Sequence, residues 1–595
     1  MVTRPEETAD SFVTDWRVSE RLPHYTRANA GEVLPDPASP LGWTLVFEQG
    51  LLKGWRRGFI DFGVDLPHEL DADRPQVAGM FGGYFYLNLS HMRLMAIRMG
   101  STVEAFDAAL LGSHPDVPPY EPHPDDQSAE CAEKAGAGIA WAMTAEAFPE
   151  IDADRERAQA ARDARPDLEG LSDAELVARM RSFLPELDNA FYRHDYSTLA
   201  STVAPAVIGQ ILAGIGREDL LLELLSGWGE VDSAAPSFAL WDLGRRIAAS
   251  PALTALMDEG AKAFAAELES AEPGSDAAVF GEELDRFLHR FGCRGPNEWD
   301  IHSPSWESEP ALVPALLDRL CRSPEDASPH VRHERLRQRR ETAASEVRAA
   351  LEADPEALGG FEAAMRSAHL FMPARERTKT NAVTFINEVR MAALELGRRG
   401  VRAGRFAEPS DVMMLLESEL DDYLTDSDGL AEVIARRLEQ HRSLHEIEPP
   451  FIISRAVPPL SSWPRRDRAV ATALAQGDLL TGVPGGHGTY QGRVRVVRDL
   501  SGLSALQPGE VLVAPLSDAA WTPLFMVAGA VVVDVGATNS HAVVVCRELD
   551  LPCVVSATGA TERLRDGMLV TVDGDTGRVT VDAPAPQPAT GAPLV

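Results

Sequence analysis

The segment Gly536-Ala537-Thr538-Asn539-Ser540-His541-Ala542 sets one imidazole beside two hydroxyls and a carboxamide, directly after the apolar run Ala530-Val531-Val532-Val533. A strand, a glycine turn and a helix start present backbone N–H groups and a positive dipole end to an anion. A neutral imidazole at that junction can attack phosphorus and form a covalent intermediate. Ser540, Asn539 and Thr538 are then the groups placed to donate hydrogen bonds to the phosphoryl oxygens. On spacing alone such a histidine is more often a packed or a surface residue than a nucleophile. Arg375 and Lys379 are four apart, so a helix puts both on one face, where they would hold a transferring phosphoryl group. The plainer reading is a solvated face paired with Glu376 and its neighbours. Arg294, Glu298 and Asp300 are candidates to bind substrate or move a proton; a structural ion-pair cluster fits the same residues. Tyr84, Tyr86 and Asn88 fall in an aromatic run that lines a pocket or, more simply, packs a core.

The elements that position these residues change character along the chain. From Asp152 to about Thr425 the pattern is mainly helical. Ser172-Asp173-Ala174-Glu175 is a capping box, Ser250-Pro251 opens a run to Leu268, and Arg332 to Leu351 has neither Gly nor Pro. Leu220 to Leu225 and Ala315 to Leu320 are shorter helical candidates. Pro23 to Gly112 reads as loops with shorter helices. A Pro-rich stretch follows the helical part (Glu448-Pro449-Pro450, Val457-Pro458-Pro459, Trp463-Pro464), suited to an arm between two bodies or to a surface loop. After about Gly477 strands are predicted at Gly492–Val497, Glu510–Ala514, Ala530–Asp534 and Cys553–Val555, with a short helix over His541–Leu549. The predicted fold is α+β and multidomain. A large mainly helical substrate-binding domain spans 1–445, a Pro-rich hinge 446–477, a small α/β domain 478–582 and a disordered tail 583–595.

Composition narrows the functions. The 595 residues carry a formal net charge of −35, a surface that repels phosphodiester backbones, so nucleic acid is not an expected partner. The five cysteines, Cys131, Cys293, Cys321, Cys546 and Cys553, show no C-x-x-C spacing. The stretch Met1 to Trp16 lacks a signal-type apolar core, and no apolar run is read as reaching the roughly 20 residues a membrane helix needs. A cytoplasmic protein without a membrane partner is the expectation.

The last fifth of the chain resembles the swivelling phosphohistidine domain of the phosphoenolpyruvate-utilising enzymes. Ser540-His541-Ala542 and Arg547-Glu548-Leu549-Asp550-Leu551-Pro552-Cys553-Val554-Val555 match that family's G-G-x-T-S-H-A signature and its A-R-E-L-G-I-P-A-V-V continuation. Asp518-Ala519-Ala520-Trp521-Thr522-Pro523-Leu524-Phe525 resembles D-P-x-W-T-P-L-F, Gly488 to Gly492 the domain's opening, and Asp573-Gly574 with Gly577 its closing hairpin. Ala537 replaces the second glycine of the signature and Asn539 a threonine. Cys546 and Asp550 replace Ala and Gly, with no consequence expected. Further upstream, Asn29 to Pro35 and Ser39 to Trp43 are similar to the start of the substrate-binding domain in rifampicin phosphotransferases. Gly292 to Asp300 resembles an R-G-P-G-E-x-D element, Ser303 to Trp306 an S-P-R-W element with Ser305 for arginine, and Arg375 to Lys379 an R-E-x-x-K element.

The resemblance implies a phosphotransferase of dikinase type in which His541 carries the phosphoryl group to a hydroxyl of a small organic substrate. No stretch resembles the ATP-grasp domain that loads the histidine in relatives, and no G-x-x-x-x-G-K loop substitutes for it. The expected loader is therefore a separate ATP-grasp subunit, as in phenylphosphate synthase-like systems, with ATP and Mg²⁺ acting through that partner. The alternative is a catalytically inactive binding or regulatory protein that retains the fold, motivated by Ala537, Asn539 and Ser305.

Overall fold

The computed structural model describes residues 11–112, 114–229, 231–466, 472–498, 506–517, 521–537 and 540–585. They form a mostly helical body and a small α/β unit near the carboxyl terminus. Four short strands of the body, β1 (His24–Thr26), β2 (Ala78–Phe81), β3 (Tyr84–Asn88) and β4 (Ile452–Ser454), make an antiparallel sheet in the order β2-β3-β1-β4. This corrects the reading of Pro23 to Gly112 as loops with shorter helices. All residues of β1 to β3 are buried, so these strands lack the polar alternation that marks a strand in sequence. Gly82 and Gly83 close the β2–β3 hairpin at φ 57° and 74°, the pair of positive values that a two-residue turn of this hand requires.

The Pro-rich stretch begins firmly tied to the body. β4 pairs with β1, and the hydroxyls of Tyr84 and Tyr86 donate to the carbonyls of Leu444 (2.8 Å) and Pro450 (2.9 Å). Tyr84 and Tyr86 are thus packing residues, with the guanidinium of Arg27 over both rings.

Four helices matter for the site: α1 (Ala30–Val33), α2 (Leu184–Ile215), α3 (Pro329–Ala350) and α4 (Pro355–Arg402). The Ser172 capping box forms as read, with Ser172 accepting from the Glu175 amide. The run from Pro251 breaks into Pro251–Asp258 and Ala261–Ser270, because Gly260 sits at φ 107°, which costs any other residue strain. Residues 173–215 are long and apolar enough to cross a membrane by length and composition, contrary to expectation. In this structure α2 instead lies along α4 and buries Ala190, Phe191, Leu199 and Ile208. Glu388 on α4 is fully buried and is held by Arg165 and Arg179.

The carboxy-terminal unit is an eight-stranded sheet built from β5 (Leu479–Thr481), β6 (Val483–Gly486), β7 (Thr489–Val496), β8 (Val511–Ala514), β9 (Ala530–Val533), β10 (Cys553–Val555), β11 (Leu569–Asp573) and β12 (Arg578–Ala583). Its order is β5-β12-β11-β7-β8-β9-β10-β6, and β7 to β10 run parallel. Helices α5 (Thr522–Val527) and α6 (His541–Leu549) connect β8 to β9 and β9 to β10. These strands and α6 follow the sequence reading closely, since parallel strands covered on both faces read as apolar runs. Most of the expected tail after 582 lies outside the described residues.

The two parts are docked. Phe525 and Met526 of α5 and Val543 and Leu549 of α6 share one apolar cluster with Trp241, Leu317 and Leu320 of the body. Ala537 packs with Ala28, Leu89, Leu110 and Leu111. Asp550 ends α6 in the left-handed conformation (φ 53°) and pairs with Arg335 (3.3 Å) and Arg339 of α3. The family's glycine is therefore replaced by a residue that keeps the turn and adds a contact between the parts. The expectation of no consequence is corrected.

Candidate active site

His541 is the first residue of α6, and Ser540 is its N-cap. The helix starts here because the chain leaves buried β9 through a turn at Gly536, where a Cβ would meet Val555 at 2.7 Å. The imidazole is only 8 % exposed. Its Nδ1 lies 3.3 Å from Ser517 Oγ and its Nε2 3.1 Å from Thr522 Oγ1. Two hydroxyls, one from each end of the β8–α5 connection, thus fix the ring plane while leaving the tautomer free to change. Burial drives its pKa well below 6.5, and Lys379, Arg294 and Arg375 push it further the same way. The ring is held neutral, the form in which a nitrogen lone pair can attack.

The ring opens into a cavity of about 200 Å³ whose other walls belong to the body. Arg375 and Lys379 line it from α4, His194 and Asp195 from α2, and Asn29, Glu32 and Val33 from α1 and its approach. Trp55, Phe59, Phe85, Leu87, Met95 and Trp299 make most of the remainder apolar. Phe85 and Leu87 face the cavity, whereas their strand neighbours Tyr84 and Tyr86 face away from it, as the two-residue period of β3 demands.

The cationic wall is only partly neutralised. Lys379 Nζ is 3.3 Å from Glu298 Oε1, Arg294 Nε is 3.0 Å from Glu298 Oε2, and Arg375 Nη1 is 2.9 Å from Glu376 Oε1. Yet Arg294 Nη2, Arg375 Nε and Ser540 Oγ are buried without a hydrogen-bond partner among the described residues. Buried donors of this kind are rare and call for an explanation. An anion beside His541 supplies one. Among the described residues no group of three or more His, Cys, Asp or Glu side chains is arranged to hold a metal ion.

The sequence-picked residues separate clearly. His541, Ser540, Arg375, Lys379, Arg294 and Glu298 come together. Asp300 does not join them: its carboxylate accepts from the Ser39 amide (2.7 Å), the Ser39 hydroxyl and the His302 amide (3.0 Å), so it fixes a body loop rather than binding substrate. Thr538 and Asn539 lie outside the described residues. Ser517, Thr522, His194 and Glu32 were not singled out by sequence reasoning. Thr522 and Glu32 sit within motif strings, but nothing in their local pattern announces a shared cavity. Burial and the nearby Arg375 take the His194 pKa down to about 3, and its Nδ1 lies 3.2 Å from Thr378 Oγ1.

Two families match this chain: the rifampicin phosphotransferase fourth domain over residues 194–376, and the mobile domain of PEP-utilising enzymes over residues 506–577. An uncharacterised protein of Mycobacterium tuberculosis is 36 % identical over 52 % of this chain and 33 % of its own length. A rifampicin phosphotransferase of a Streptomyces species is 30 % identical over 68 % of this chain and 49 % of its own length. The prodigiosin synthesizing transferase of Serratia marcescens is 28 % identical over 56 % of this chain and 37 % of its own length. The matched segments thus span a third to a half of those relatives. His194, Arg375 and His541 all fall within matched segments, and the chain belongs to the PEP-utilising, rifampicin phosphotransferase-like family.

Proposed function

We propose that the chain is the acceptor-binding and carrier portion of a phosphotransferase, with His541 as the carrier. A donor phosphorylates the imidazole while the α/β unit is undocked. The unit then docks, and a hydroxyl of a small, largely apolar molecule in the cavity takes the group. The observation that carries this reading is the arrangement around one neutral imidazole: it shares a largely aromatic and aliphatic cavity with Arg375 and Lys379, and Ser540, Arg294 and Arg375 each keep a buried donor with no partner among the described residues. Such donors stabilise charge as it develops on the transferring group, and they act strongly because water is excluded. Ser517 and Thr522 orient the ring. Thr538 and Asn539 remain proposed contacts of the phosphoryl oxygens, and Glu298 is proposed to hold Arg294 and Lys379 in place.

At 8 % exposure the docked ring has no room for a second active site. Loading therefore belongs to a different position of the α/β unit. We assign loading to an ATP-grasp protein, with ATP and Mg²⁺ consumed there rather than in this cavity. The test is intact mass after incubation with ATP, Mg²⁺ and candidate ATP-grasp proteins. One added phosphoryl group, absent in His541→Ala, is the expected result. A phosphoryl group retained in His541→Ala overturns the assignment, and a loaded chain that never passes the group on favours the binding-protein alternative.

A further inference from the structure

We infer that Glu32 is the general base that takes the proton from the acceptor hydroxyl. This rests on the carrier role of His541 and adds to it the group that completes the transfer. Glu32 sits on α1, in the body, yet it lines the same cavity as His541 and is 7 % exposed. Its Oε1 is buried and accepts no hydrogen bond from the side chains of the described residues. Its carboxylate is met by a long contact from Asn29 Nδ2 to Oε2, at 3.4 Å, and by the backbone N–H of His541. A carboxylate buried with a vacant oxygen is costly unless something else uses it. Glu376 and Glu298, the other glutamates of this cavity, are already engaged by Arg375, Lys379 and Arg294. Among the described residues Glu32 has no ion-pair partner of its own.

Position supports the role. The charged and polar groups facing Glu32 are the His541 backbone N–H of the α/β unit, Arg375 and Lys379 of α4, and Asn29. The carboxylate therefore lies at the start of α6 and shares one cavity with the His541 side chain. Burial raises its pKa to about 8, against the opposing pull of the His541 N–H and the two cations. A base of that strength suits an alcohol proton near neutral pH.

The step balances simply. The acceptor oxygen forms a bond to phosphorus, the phosphorus–nitrogen bond to His541 breaks, and its electron pair returns to the imidazole. The hydroxyl proton passes to a Glu32 carboxylate oxygen and later to solvent. Because Glu32 and His541 come from different parts of the molecule, base and phosphoryl group meet only after docking. An undocked, loaded carrier thus has no base at hand, which protects it from water.

The test loads the full chain with phosphoramidate, a chemical donor that needs no partner protein, and follows loss of phosphohistidine by intact mass between pH 6 and 9. Water and benzyl alcohol are the acceptors, and the same loaded chain unfolded in urea sets the uncatalysed rate. Each protein is loaded to completion first. In the wild type the excess rate over the unfolded chain should rise with pH and level off near 8. Glu32→Gln keeps the shape but cannot take a proton, and should lower that excess about 10²-fold or more and flatten the profile. Glu32→Asp should restore part of the rate with the pH dependence intact. A Glu32→Gln chain with the wild-type rate and profile overturns the inference while leaving the carrier role standing. A loaded wild-type chain that loses its phosphoryl group no faster than the unfolded one also overturns it. Failure of His541 to load at all removes the carrier reading and this inference together.

Discussion

At the scale of single residues, the site consists of groups whose charge is set by burial and then used. Burial and three nearby cations keep His541 neutral, and the same cations are the ones a phosphoryl group would need. Removing either Arg375 or Lys379 by substitution with alanine should therefore cut transfer from loaded His541 by roughly 10²- to 10³-fold, read in a single-turnover quench. Neither change should prevent chemical loading of the imidazole, because the loading position does not use α4. His194 makes a separate prediction. Its pKa is lowered to about 3 by burial and then Arg375, and that of His441 to about 4 by burial and then His302. For a depressed pKa, the stability contribution is complete above the unfolded value of 6.5 and is lost as pH falls toward the folded value. The thermal midpoint should drop between pH 6.5 and 4, and His194→Asn should flatten that slope, checked by calorimetry at matched ionic strength.

At the scale of elements, α4 and α6 do most of the positioning. Glu388 anchors α4 against the segment that carries Arg165 and Arg179. Glu388→Ala leaves Arg179 without its carboxylate and Arg165 with Glu307 alone, and should lower stability by about 3 kcal/mol, measured by urea denaturation. The legible parts of the sequence were those with a local signature. The strand, glycine turn and helix start around His541, the parallel strands β8 to β10 and the four-residue spacing of Arg375 and Lys379 each follow from a short pattern. What escaped was set by tertiary contact. Strands β2 and β3 are covered on both faces and so carry no alternation. Phe85 and Leu87 line the cavity while Tyr84 and Tyr86 anchor the Pro-rich segment, a division fixed by which face of one strand meets α1. Asp300 and Glu298 are two residues apart and look alike in sequence, yet Ser39 captures the first and Arg294 with Lys379 the second. Glu32 lies far along the chain from His541, and only docking brings the two together.

At the scale of the whole molecule, a carrier must dock firmly enough to exclude water and loosely enough to leave. The shared apolar cluster around Phe525 and Val543 supplies the first property. The pairs of Asp550 with Arg335 and Arg339 lie at the edge, where such contacts are worth roughly 0.2–1 kcal/mol and weaken with salt. Asp550→Gly preserves the left-handed turn and removes both pairs. It should shift the molecule toward the undocked form, seen as faster hydrogen exchange at the apolar faces of α5 and α6 and a smaller effect of added salt, with the thermal midpoint of the body unchanged. The most direct measurement of the central claim is a phosphorus NMR spectrum of the folded chain after loading with phosphoramidate. The account predicts one phosphoimidazole resonance that is missing from His541→Ala and that shifts in Arg375→Ala, where the cationic wall is altered. A resonance that survives in His541→Ala, or one indifferent to Arg375, would contradict it.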